Sequence, residues 1–267
     1  MTSPAPSRTQ RPLWPIVALA VAVALVCAIA AWHPWTRTSP PASEGAGGAG
    51  PAAAIAPAPL ALPENARVLI FGDSWTYGSA AKRPTDGYAY VVGRTMGWET
   101  IVDGVRGSGY LKPGIDGPSF GERIAALDPA LDPDLVIIQG SINDRRLHPA
   151  GYRAAVTAAW TALAKLYPDA RFVVLGPAPQ VLPVEKATAA IDRDLAELAG
   201  ARGWAYISPI REKWITPADY DWIIDTGIGR DHPTSEGHAY LAERLAEDVR
   251  LLEVTTDAAV EAPEPAQ

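Results

Sequence analysis

Short apolar runs alternate along the middle of the chain with longer stretches whose apolar positions recur at helical spacing. Val68-Leu69-Ile70-Phe71, Leu135-Val136-Ile137-Ile138 and Phe172-Val173-Val174-Leu175 are unbroken apolar segments, as expected of parallel strands buried on both faces. Thr100-Ile101-Val102 and Ala205-Tyr206-Ile207 are shorter candidates of the same kind. Between the runs, Tyr88–Met96, Tyr152–Tyr167, Val184–Leu198 and Glu236–Leu252 carry helical periodicity. Strands alternating with helices predict an α/β chain, a three-layer α/β/α sandwich around a central parallel sheet.

The ends of the chain differ from this middle. Leu13 to Trp32 is an almost unbroken apolar stretch, and roughly 20 such residues suffice to cross a bilayer core as a helix. Arg8 and Arg11 precede it, and Trp14, Trp32 and Trp35 flank it. The positive-inside bias then keeps residues 1–11 cytoplasmic, while the indoles favour the headgroup region. The expectation is one transmembrane anchor over residues 12–32, with everything after it extracytoplasmic. The Ala28-Ile29-Ala30 triplet resembles a signal-peptidase site, so secretion after cleavage is the competing expectation. Residues 33–63, rich in Pro, Ala, Gly and Ser, read as a linker, because such a segment has little to bury. Residues 64–253 read as one domain of ordinary size, and residues 254–267 as an acidic, disordered tail.

Composition narrows the chemistry. A net charge of −7 argues against a nucleic-acid partner, which needs a basic face. Cys27 is the sole cysteine, so no disulfide forms within one chain. Of four histidines, His232 and His238 stand six apart, not at the i, i+4 spacing that puts two metal ligands on one helix face. No metal or organic cofactor is implied.

Four segments bear reactive side chains. The first strand runs into Gly72-Asp73-Ser74-Trp75-Thr76-Tyr77-Gly78, and open parallel sheets gather ligands outside the carboxyl ends of their strands. Ser74 on that turn is a candidate nucleophile; ordinary turn chemistry, with Ser74 or Asp73 capping the next helix, is the plainer reading. Gly140-Ser141-Ile142-Asn143-Asp144 follows the third strand. The Asn143 amide there is a candidate donor to a developing oxyanion, with Asp144 capping a helix or orienting Asn143. Asp231-His232-Pro233-Thr234 precedes the last helix. His232 is the candidate general base, since a serine hydroxyl needs an adjacent imidazole to act as a nucleophile, and His238 reads as structural. Asp103-Gly104-Val105-Arg106-Gly107-Ser108-Gly109-Tyr110, after the second strand, is a glycine-rich turn able to aim a backbone N–H into a site.

In order, Ser74, Gly107, Asn143 and His232 resemble the four-block pattern of the SGNH, or GDSL-type, serine hydrolases, across essentially the whole predicted domain. The resemblance implies a flavodoxin-like fold and an esterase without cofactor. Ser74 would be its nucleophile and, through its own N–H, an oxyanion donor. Gly107 would give a second N–H, with Gly109 as the alternative, Asn143 would give the third donor, and His232 would be the base. The chain departs from the family at one position. Members usually carry Asp three residues before the histidine, where this chain has Gly229. Three arrangements follow: a displaced acid drawn from Asp231 or Asp225, a weakened enzyme, or a Ser–His dyad held by a backbone carbonyl. The last is the expectation, because Asp231 adjoins His232 and Asp225 lies seven residues away across two glycines. The function implied is hydrolysis of carboxylic esters of acylated glycans or lipids. The alternatives are an acyltransferase on envelope glycans and a non-catalytic glycan-binding domain derived from such a hydrolase.

Overall fold

The computed structural model describes residues 56–57, 60–140 and 142–260, with 254–260 as backbone alone. All of them belong to the unit Gly50–Gln267. The anchor expected over 12–32, its cytoplasmic flank, most of the linker and the end of the tail lie outside the described residues. Among the described residues no helix is long and apolar enough to cross a membrane.

Five strands form one sheet: β1 (Arg67–Gly72), β2 (Glu99–Gly104), β3 (Leu135–Gln139), β4 (Arg171–Leu175) and β5 (Ala205–Ile207). Their spatial order is β2-β1-β3-β4-β5, every pair parallel. The alternation of side chains explains why the strand sequences are apolar throughout. Val68 and Ile70 of β1, with Leu135 and Ile137 of β3, enter one core cluster, whereas Leu69, Phe71, Val136 and Ile138 enter the other. Neither face meets water, so neither position of the period-two repeat is polar.

Helices cover both faces. On one lie α2 (Tyr88–Met96) and α7 (Ser235–Val260), burying Ala89, Val92, Leu241, Leu245 and Val249. The other carries α3 (Phe120–Ala125), α4 (Tyr152–Leu166) and α5 (Lys186–Gly200), with Phe120, Trp160, Leu163 and Leu195 packed beneath them. The expected α/β/α sandwich is therefore the fold, with a four-residue helical turn, α1 (Ser74–Tyr77), directly after β1. A short helix α6 (Tyr220–Ile223) leads into a two-stranded antiparallel ribbon, β6 (Ile224–Asp225) with β7 (His232–Pro233), before α7.

The differences from the sequence reading are local. Helix α5 begins at Lys186 rather than Val184, because Glu185 is still extended after Pro183. Helix α3 is too short for periodicity to reveal, although its capping box between Ser119 and Glu122 is a sequence signal. Helix α7 runs past Leu252 to Val260, into the segment expected to be disordered; no proline follows until Pro263.

His238, in the first turn of α7, shows how the two helices of one face are tied together. Its ring is fully buried, Nδ1 accepts the Tyr88 N–H at 3.2 Å, and Nε2 donates to the Ser79 carbonyl at 3.0 Å. This pairing needs the neutral ring, and burial holds the pKa down to about 4 from an ordinary 6.5. A histidine with a depressed folded-state pKa stabilises the fold fully above pH 6.5 and loses that contribution as pH falls toward 4. The expected outcome is that Tm falls more between those pH values in the wild type than in His238→Gln, which starts lower but has nothing there to titrate. Calorimetric scans at each pH, compared as differences between the two proteins, check this.

Candidate active site

The site sits where the strand order doubles back. β1 and β3 are neighbours in space but not in sequence, so the chain leaving β1 turns one way and the chain leaving β3 the other, opening a crevice at their carboxyl ends. Asp73 follows β1 and caps α1, its Oδ1 accepting the Trp75 N–H at 2.9 Å. The plainer reading of this turn thus holds for Asp73, and Ser74 is left at the first helical position. Asp73 is fully buried, and burial raises its pKa to about 7, with the cap bond to Trp75 and the charge of Arg123 offsetting part of the rise.

Ser74 meets His232 across 158 residues of chain, Oγ to Nε2 at 2.8 Å. At the far side of the ring, Nδ1 lies 2.8 Å from the Gly229 carbonyl and 2.9 Å from that of Arg230. Carbonyl oxygens only accept, so the proton must be on Nδ1, and Nε2 keeps its lone pair for the Ser74 hydroxyl. The loop reaches this geometry through an unusual backbone: Arg230 and Asp231 have φ of 51° and 61°, conformations that cost non-glycine residues free energy and gather at functional sites.

Neither candidate acid is a hydrogen-bond partner of the imidazole, whose ring nitrogens meet Ser74, Gly229 and Arg230. Asp225 turns its Oδ1 back on the Gly227 N–H at 2.9 Å, while its carbonyl accepts the Asp231 N–H at 2.9 Å. Asp225 pairs with His232 in the β6–β7 register through its backbone. Among the described residues, no carboxylate is hydrogen-bonded to the His232 ring. Gly229 has no room for the aspartate that the family places there. A Cβ built on it would stand 2.6 Å from the Asp225 Cβ and 2.8 Å from the Ala80 Cβ.

Asn143 and the Gly107 loop close the other side. The Asn143 Nδ2 donates to the Ser108 carbonyl at 3.0 Å and to Asp73 Oδ2 at 3.3 Å, so its amide is held between the turn of β1 and the loop after β2. Asp144 neither caps a helix with its side chain nor orients Asn143. Buried, it accepts the backbone N–H groups of Tyr110 at 2.7 Å and of Leu111 and Lys112 at 3.1 Å each. Between the two glycines, Gly109 spends its N–H on the Lys112 carbonyl at 2.8 Å, which favours Gly107 as a donor. Gly107 has φ of 75°, a left-handed conformation that glycine adopts without strain.

One residue escaped the sequence reading. Arg123 of α3, only 6% exposed, lies with its guanidinium over the Phe71 ring at 4.1 Å. It donates to the Gly72 carbonyl at 2.9 Å, the Asp103 carbonyl at 2.7 Å and Asp103 Oδ1 at 2.8 Å. It therefore ties the carboxyl ends of β1 and β2 beneath Ser74. Its only sequence signal was an arginine on the buried side of a short amphipathic turn.

This geometry leads to three expectations. Asp144→Ala strands three backbone donors and should destabilise the domain by about 3 kcal/mol, an order-of-magnitude figure for buried hydrogen bonds to a charged acceptor; urea unfolding measures it. Gly229→Asp should lower both stability and turnover through its clash with Asp225 and Ala80. Asp225→Asn and Asp231→Asn should fall well short of the roughly 10⁴-fold loss that follows removal of an orienting carboxylate, with kcat compared at matched folded fraction.

The model of the GDSL-like lipase/acylhydrolase family matches residues 70–240. No curated protein matches the chain. Among solved structures, the chain is similar to a native M. smegmatis aryl esterase, at 21% identity and TM-score 0.53, covering 70% of this chain and 99% of that one. A carbohydrate acetylesterase family member from Sinorhizobium meliloti aligns at 16% identity and TM-score 0.55, over 70% of this chain and 99% of the other. A Corynascus thermopiles carbohydrate esterase family 2 enzyme with a carbohydrate-binding domain aligns at 19% identity and TM-score 0.54, over 73% of this chain and 68% of the other. At these identities the likeness speaks for the fold, whereas the family match spans well over half of the chain and takes in Ser74, Gly107, Asn143 and His232: the chain belongs to the GDSL-like lipase/acylhydrolase family of ester-hydrolysing enzymes.

Proposed function

We propose that the domain hydrolyses carboxylic esters through an acyl-enzyme on Ser74, with His232 as the sole general base and acid. The observation that carries this reading is the contact of 2.8 Å from Ser74 Oγ to an imidazole whose Nδ1 faces the carbonyls of Gly229 and Arg230. His232 Nε2 takes the hydroxyl proton as Oγ attacks the ester carbonyl, then returns it to the departing alcohol oxygen. Water repeats the sequence on the acyl-enzyme and frees the acid. The imidazolium formed midway is stabilised by the two carbonyl dipoles of Gly229 and Arg230 rather than by a carboxylate.

The negative charge on the tetrahedral oxygen falls to the N–H groups of Ser74 and Gly107 and to Asn143 Nδ2. Between the bonds that Asn143 Nδ2 donates to Ser108 and to Asp73, that to Asp73 is the longer at 3.3 Å, and its hydrogen is the one to turn toward the oxyanion. Preorganised donors of this kind act without reorganisation during the reaction. The Ser–His contact speaks against a decayed binding domain, for which a displaced or blocked imidazole would be expected. The membrane-length run at Leu13 to Trp32, with arginines before it, supports an anchored, extracytoplasmic placement and hence esters of envelope glycans or lipids.

Ser74→Ala should abolish turnover of short p-nitrophenyl esters and labelling by a fluorophosphonate probe while leaving the melting curve unchanged. Near-normal turnover in that variant would remove Ser74 from the mechanism. Asn143→Ala should cost on the order of 10²–10³ in kcat, as for one oxyanion donor. For the placement, protease added to intact cells should release the domain through residues 33–63; a protected domain, or one wholly in the medium, would contradict anchoring.

A further inference from the structure

The exposed side chains around the crevice carry a second pattern that ester chemistry does not use. Five large apolar residues are exposed among the described residues: Ile115 at 80%, Leu147 at 48%, Trp222 at 48%, Ile228 at 99% and Leu251 at 64%. Scattered singly such residues are ordinary, but four of these five belong to the segments that build the site. Ile115 packs beside Gly107. Leu147 follows the 3₁₀ turn Ile142–Arg146 that bears Asn143, and donates its N–H to the Asp144 carbonyl at 2.8 Å. Ile228 stands between Gly227 and Gly229 on the loop that positions His232. Trp222 is on α6, and its carbonyl accepts the Thr234 hydroxyl at 2.8 Å, two residues beyond His232. Leu251 is different: it lies sixteen residues along α7 from Ser235, about 24 Å down the helix axis at the usual rise.

Each of the three loops also exposes a cation beside its aliphatic residue: Lys112 near Ile115, Arg146 next to Leu147 and Arg230 near Ile228. Among the described residues none of the three has an ion-pair partner at salt-bridge distance, although the charge of Lys112 acts on the buried Asp144 carboxylate. Carboxylate pairing is available on the same loops, since Arg106 pairs with Asp116 and Arg145 with Glu185. The whole chain has a net charge of −7, so general attraction to anionic surfaces is absent and any such affinity needs a local group of cations such as this rim presents. Aliphatic and indole groups interleaved with unpaired cations match an interface of acyl chains beneath anionic headgroups.

We propose that the rim of the site docks on an anionic lipid surface, with Ile115, Leu147, Ile228 and Trp222 entering the headgroup boundary and Lys112, Arg146 and Arg230 meeting lipid phosphates. Docked in this way, the crevice between the three loops faces the surface, and an ester held there reaches Ser74 without crossing open water. The surface is independent of the roles assigned to Ser74 and His232, since none of its residues supplies a side chain to the reaction.

The experiment uses the full-length chain reconstituted in phosphatidylcholine vesicles with and without phosphatidylglycerol. An environment-sensitive NBD label is attached through Ile228→Cys or, as the control, Leu251→Cys, both with Cys27→Ala. The expected result is that the label at position 228 shifts to the blue and is quenched by doxyl-lipids only when phosphatidylglycerol is present, while the label at 251 stays aqueous. Lys112→Gln with Arg146→Gln should weaken this docking roughly 30-fold, given about fivefold per basic residue near an anionic surface, and high salt should weaken it too. The Ser74→Ala change should leave the fluorescence response unaltered, which separates a failure of docking from a failure of the nucleophile assignment. A label at 228 that stays aqueous with phosphatidylglycerol, or labels at 228 and 251 that respond alike, would overturn the proposal. So would cations whose removal affects turnover of a soluble anionic ester but not the fluorescence response.

Discussion

The pairing of β1 with β3 constrains where everything else in the site can lie. These strands are joined through β2 and its flanking helices, yet hydrogen-bond directly, with Val68 opposite Leu135 and Phe71 opposite Ile138. Because the five strands of the sheet are parallel, the loops after β1, β2 and β3 leave the same edge of the sheet. Ser74, the Gly107 loop and Asn143 are therefore brought together by backbone pairing before any side chain is considered. Both faces of β1 and β3 are buried, so the fit of each side chain within its own core cluster, rather than a contrast of polarity, holds the register. The last helix completes the arrangement by carrying His232 in on the ribbon that precedes it.

On that scaffold, backbone groups perform a task more often given to a carboxylate. An imidazole acts as a base toward serine only in the tautomer that leaves Nε2 bare, and any fixed acceptor at Nδ1 selects it. Two carbonyls do so here. They lack the full negative charge that would stabilise the imidazolium, so the arrangement secures geometry and tautomer more than electrostatic gain. Its cost is visible in the left-handed φ values of Arg230 and Asp231. Gly229 follows from the same packing: the space that an aspartate side chain would need is filled by Asp225 and Ala80.

Buried charge beneath the crevice holds its parts in register. Asp144 fastens the loop after β2 to the turn after β3 through three N–H bonds. Arg123 gathers the strand ends under Ser74, and Asp73 joins the α1 cap to the Asn143 amide. Each is largely or fully buried and each is hydrogen-bonded, although the Arg123 Nε lacks a partner among the described residues. Removing one member of such a set leaves the others with unmet polar groups in a medium of low dielectric, so these residues act together. Burial accordingly raises the pKa of both Asp73 and Asp144.

The sequence by itself determined the layers and their order. Unbroken apolar runs such as Leu135–Ile138 require a strand covered on both faces, and helical periodicity over Tyr88–Met96 or Tyr152–Leu166 supplies the cover. Both signals are local, set by one side chain after another along the chain. It also placed Ser74, Asn143 and His232 on loops, because Gly, Asp, Asn and Pro at the ends of apolar runs encode turns. Only the tertiary structure decided which loop groups meet. What faces His232 Nδ1 depends on how the Gly227–Asp231 loop folds back on Asp225, which brings the Gly229 and Arg230 carbonyls to it rather than the carboxylate one residue away in sequence. Asp144 likewise reads as a loop acid until its partners, more than thirty residues earlier, are folded against it. Contacts between residues far apart in the chain leave no period in either segment, and so they become visible only once the sheet has brought the segments together.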